Sequence, residues 1–130
     1  MPRITLLFAA LHILLMLVLT WRVVAKRRTL QIGIGSGGDH ALERTIRTHA
    51  NFTEYVPLAL LMLGLLELSG VAALWLWGFG TLLLVGRLLH AQGLSRKSGY
   101  SPGRFSGAAL TLLVLAGMAI LGLVRFFMAG

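Results

Sequence analysis

The sequence predicts an all-α integral membrane protein, a four-helix bundle in a single domain over residues 1–130. Three observations predict it. The apolar residues stand in four blocks, each close to the roughly 20 residues a helix needs to cross hydrocarbon. Only 12% of residues are charged, against about 25% in a soluble domain, which is too few to coat a globule in water. The mean hydropathy is +0.84, so lipid rather than water is the expected solvent.

The first helix is expected over about residues 4–25. His12 is its only ionisable interior group, and Trp21 and Arg22 suit the membrane interface. A cleaved signal peptide is the competing reading. The apolar run is longer than an ordinary signal core and lacks a clear small-residue cleavage site, so a retained helix is preferred. Lys26, Arg27 and Arg28 and the glycine-rich stretch from Gly33 to Asp39 then form a loop. Gly33, Gly35 and Gly38 fit the spacing G-x-G-x-x-G, but a dinucleotide site needs a strand before it and a helix after it. Here the motif joins two hydrophobic helices, and that function is set aside.

The second helix is expected over residues 40–68, with Asp39 available as its N-cap. Pro57 inside it removes one helical donor, leaving the Thr53 carbonyl for neighbours or water to satisfy. A short turn through Ser69 and Gly70 leads to a third helix over about 71–91. A polar loop from Gly93 to Arg104 precedes the fourth, over about 105–127. Gly117 and Gly122, with Ala109 and Ala116, offer a weak signal for close helix approach.

The net charge is +8. In a soluble protein that would point to nucleic acid. Here the basic residues flank apolar blocks, where the positive-inside rule accounts for them, so no nucleic-acid partner is expected. The first and third connections and their flanking turns carry ten of the Lys and Arg residues, and the opposite side carries only Arg3 and Arg125. That asymmetry puts the two long loops in the cytoplasm and both termini outside. Cysteine is absent, so any thiol chemistry must come from a ligand. Four scattered histidines and no H-E-x-x-H, Walker or Ser-His-Asp pattern give no metal site.

The informative segment runs from Glu43 to Pro57. On a helix Arg44, Arg47, Asn51 and Glu54 are spaced by three, four and three residues and share a stripe. A carboxylate at the membrane end of a helix is costly unless paired. Arg87 and His90, three apart, reach the same membrane face, and Arg104 stands before the fourth helix. Two bland readings stay open at this point. The stripe is an internal ladder in which Glu54 is neutralised by Arg47 or Arg87, or Arg87 and Arg104 are membrane anchors. By helical geometry His49 points away from the Arg47 stripe.

The stretch E-R-x-x-R-x-H-x-N-x-x-E-Y-x-P over residues 43–57 resembles the signature of the membrane-associated proteins in eicosanoid and glutathione metabolism. The glycine-rich loop and the segment from Gly86 to His90 resemble the bacterial branch of that family, and the four-span layout resembles it throughout. The resemblance implies a homotrimer in a bacterial inner membrane, with glutathione as co-substrate between subunits near the cytosolic face. It implies that Arg47, Asn51, Glu54 and Tyr55 contact the tripeptide and that His90 joins them. Arg27 or Arg28 resembles the basic pair a neighbouring subunit supplies. Arg104 resembles the arginine that stabilises the thiolate, and is the candidate catalytic residue. Arg44 and Arg87 complete the candidate binding set.

The chemistry of glutathione suits those residue types. Arginine forks match its carboxylates, a glutamate matches its ammonium, and a nearby cation favours the thiolate. A lipophilic electrophile would arrive from the bilayer. Leu94 stands where several members of the family have tyrosine, and the loop before Arg104 varies in length among them. The expected function is therefore a glutathione transferase or peroxidase-like enzyme. A non-catalytic lipid- or partner-binding member of the same family is the alternative, and a membrane subunit of unrelated function the third.

Overall fold

A computed structural model describes residues 1–96 and 101–128, with the side chains of 94–96 excepted. Four α-helices follow in order: α1 (Arg3–Leu30), α2 (His40–Leu68), α3 (Ala73–Arg96) and α4 (Pro102–Met128). Each contains a stretch long and apolar enough to cross a membrane. At about 1.5 Å per residue, 28 residues reach roughly 42 Å, more than the roughly 30 Å hydrocarbon core. The apolar side chains point outward as much as inward: Leu74 is 81% exposed and Leu113 69%. This is an integral membrane protein whose outer surface is made for lipid.

Several helix ends differ from expectation. α1 runs on to Leu30, so Lys26, Arg27 and Arg28 lie on helix rather than in a loop. Cations in a last turn are favoured by the helix dipole, which explains the extension. Gln31 closes the helix in the left-handed conformation at φ 55°, its N–H bonding the Arg28 carbonyl at 3.4 Å. Arg27 then folds its Nη1 onto the carbonyls of Ile32, Gly33 and Gly35 at 3.3, 3.1 and 3.0 Å. Asp39 caps α2 by accepting from the Leu42 N–H at 2.6 Å, and α2 passes through Pro57 unbroken. α4 starts at Pro102 because a proline in the first helical position lacks only an N–H that would be unpaired anyway. Arg104 therefore stands in the first turn of α4, not before it.

α2 and α3 pack on each other and each also touches both α1 and α4, whereas α1 and α4 make no contact among the described residues. One apolar core joins Phe8, Ala59, Leu63, Leu66, Leu76, Leu83, Val114 and Met118. A second, of Leu19, Phe52, Val56 and Ala91, lies nearer the long loops. The termini end is tied by two cross-helix contacts. Glu67 accepts from the N–H groups of Ile4 and Thr5 at 2.9 and 2.7 Å and so caps α1 from α2. Arg125 donates to the Ser69 carbonyl, satisfying the end of α2.

The α3–α4 pair is glycine-built. A Cβ on Gly107 would stand 2.5 Å from the Gly86 carbonyl oxygen and 2.5 Å from the His90 nitrogen; one on Gly93 would strike the Arg104 nitrogen. Gly103 and Gly107 form a G-x-x-x-G step, a sequence signal for close helix approach. Gly117 and Gly122 instead receive Phe79 and Met62 of the same chain. The backbone contact at Gly86, Gly93, Gly103 and Gly107 sets His90 and Arg104 side by side.

Candidate functional site

Because successive helices run antiparallel, α2 and α4 both begin at the long-loop end. Two helix N-termini, each with a partial positive charge, face the same end of the bundle. Between them lies a cleft of about 340 Å³, lined by His40, Glu43, Arg44, Arg47, Asn51, His90 and Arg104. The α2 residues come to it through their three- and four-residue spacing. His90 and Arg104 come through the glycine contact of α3 with α4. Glu43 is the one carboxylate lining it, and it pairs with His40 at 3.6 Å. His90 is 5% exposed and its Nδ1 has no hydrogen-bond partner. The cleft is thus strongly cationic, with an unsatisfied buried nitrogen at one wall.

The remaining predicted residues are placed differently. Arg87 lies one turn deeper than His90, 2% exposed. Its Nη2 donates to Asn51 Oδ1 at 2.6 Å and its Nη1 to Thr111 Oγ1 at 3.3 Å. A side chain so enclosed does not anchor at a membrane surface, which removes the anchoring reading for Arg87. Tyr55 lines a smaller cavity of about 40 Å³ beyond Asn51, shared with Arg87, Ala108, Thr111 and Leu112.

Glu54 is exposed on the outside of α2 and lines neither cavity. No ion pair joins it to Arg47 or Arg87 among the described residues, so the internal-ladder reading is not what the bundle contains. Arg27 is occupied by its loop carbonyls, whereas Arg28 is exposed. His49 turns to α1, its Nε2 3.1 Å from Thr20 Oγ1. The side chain of Leu94 lies outside the described residues.

Sequence reasoning missed His40 and Thr111. His40 opens α2 beside its cap. Thr111 stands seven residues after Arg104, on one face of α4, and that spacing was the available signal. Among the described residues no group of three or more His, Cys, Asp or Glu gathers to hold a metal.

The sequence model of the MAPEG family matches residues 5–124. The chain is 34% identical over 118 residues to the inner membrane protein YecN of Escherichia coli, covering 86% of this chain and 88% of that one. It is 31% identical over 122 residues to leukotriene C4 synthase of Bos taurus, covering 91% of this chain and 79% of the synthase.

Proposed function

Because the chain belongs to the MAPEG family, we propose that it is a membrane-bound glutathione transferase or peroxidase-like enzyme. It activates the glutathione thiol against lipophilic electrophiles. The observation that carries this reading is the convergence of Arg44, Arg47 and Arg104 with the orphaned Nδ1 of His90 on one cleft. A dianionic peptide carrying one ammonium suits that donor set. Its volume of about 340 Å³ is at the low end of the roughly 300–1,000 Å³ of small-ligand pockets.

Arg44 and Arg47 take the carboxylates, Asn51 and Tyr55 orient the peptide, and His90 donates or accepts at its free nitrogen. Arg104 holds the thiol as thiolate, helped by the α4 N-terminus. The thiol proton is released to water at the mouth of the cleft, and the thiolate sulfur forms a bond to an electrophilic carbon as the leaving group departs with its bonding pair.

The assembly is a homotrimer, and the exposed face of α2 supports it. Glu54, Leu58, Leu61, Leu65 and Leu68 repeat at four and three residues and are all exposed in the single chain, the spacing of a packing seam. A carboxylate on such a face calls for a partner. A neighbouring copy would bring Glu54 to the ammonium and supply Arg28, whose guanidinium is unoccupied by the loop. The membrane is a bacterial inner membrane, with the termini periplasmic and the long loops cytoplasmic. Setting aside buried Arg87 leaves the positive-inside asymmetry intact.

The test is conjugation of glutathione to a small aromatic electrophile by protein purified in detergent. Arg104→Ala should lower kcat about 100-fold, the scale of losing one transition-state donor, with a smaller change in KM. Glu54→Ala should raise KM for glutathione. If the wild type binds glutathione without turning over any of an electrophile panel, the non-catalytic lipid- or partner-binding role replaces the enzyme.

A further inference from the structure

The chain has four acidic side chains, and each is placed away from Arg87. Asp39 caps α2, Glu43 pairs with His40, Glu67 caps α1, and Glu54 is exposed. Arg87 therefore carries a buried positive charge inside a membrane bundle, with no carboxylate partner among the described residues. An uncompensated buried charge is among the costliest features a fold can contain.

The cavity beside Arg87 offers several donors and no carboxylate. Asn51 Oδ1 and Thr111 Oγ1 already accept from Arg87, and the Thr111 hydroxyl donates to the Gly107 carbonyl at 2.8 Å. What remains is the Nε–H of Arg87, which has no partner, the amide N–H groups of Asn51, and the Tyr55 hydroxyl, unbonded among the described residues. Ala108 and Leu112 close the other wall. A volume of about 40 Å³ exceeds the roughly 10–15 Å³ that one water requires. A water there could donate to the Tyr55 hydroxyl but would leave the guanidinium charge uncompensated, and a cation is excluded by the guanidinium. A small, weakly hydrated anion matches both the donors and the apolar wall.

We propose that this cavity is a binding site for a monovalent anion of the halide class, held by Arg87, Asn51 and Tyr55. The anion supplies the counter-charge that the chain does not. The proposal stands on the surroundings of Arg87; it shares Asn51 and Tyr55 with the proposed glutathione site, and its test is run without glutathione so that the two readings fail separately.

To test it, wild-type protein in a non-ionic detergent is melted in sodium bromide and in sodium gluconate at equal ionic strength. Gluconate is too large for the cavity. Tm should rise saturably in bromide, by about 3–6 °C at ten times the dissociation constant. Ala108→Leu fills the cavity from α4 without touching its donors and should abolish the rise, as should Arg87→Gln. Chloride-35 line broadening by the wild type, reversed by bromide and lost in either variant, reports occupancy independently of melting. Equal melting in bromide and gluconate overturns the proposal and leaves the cavity to water. A bromide effect that survives Ala108→Leu overturns it too, by putting the anion on exposed arginines.

Discussion

Asn51 is the residue that the two cavities share. It lines both, and its oxygen holds Arg87 at 2.6 Å. A hydrogen bond to a charged group contributes about 1.5–3 kcal/mol, and its loss strands the charge. Asn51→Leu should therefore lower Tm by several degrees, whereas Asn51→Asp should melt at or above the wild type, because a carboxylate in the same place neutralises the guanidinium. Melting in detergent, followed by tryptophan fluorescence, separates the two. Equal losses in both variants would mean that Arg87 is not held through this contact.

At the scale of elements, the α3–α4 contact decides where the chemistry sits. Gly107 meets the backbone of α3 at Gly86 and His90 with no room for a Cβ. Overpacking a close contact costs about 1–3 kcal/mol or more. Gly107→Leu should push α4 outward, lowering Tm and moving Arg104 away from His90. The check is thermal melting beside glutathione affinity, with Ala109→Leu, on a half-buried position of the same helix, as the control. Unchanged melting in Gly107→Leu would contradict the packing. The four helices were legible because long apolar blocks admit few other structures. Their ends were less so, since Lys26, Arg27, Arg28 and Pro102 read as loop residues although helix termini accommodate both cations and proline. The glycine seam was legible in principle from Gly103 and Gly107.

For the whole molecule, the stripe of Arg44, Arg47 and Asn51 followed from helical periodicity alone, because it lies on one helix. The bond from Arg87 to Asn51 and the capping of α1 by Glu67 did not, because they depend on which helices neighbour each other. The position of Glu54 belongs to a third level, since only in the proposed trimer is its face of α2 completed by another copy. On the proposed function, the cationic cleft at the starts of α2 and α4 receives glutathione. Equilibrium binding of glutathione to the detergent-purified protein, wild type beside Arg47→Ala, tests it most directly. Saturable binding is expected at about millimolar concentration or below, weakened roughly tenfold or more by the substitution, the scale of one lost charge-assisted contact. Wild-type protein that binds no glutathione, or an Arg47→Ala variant that binds it equally well, would contradict it.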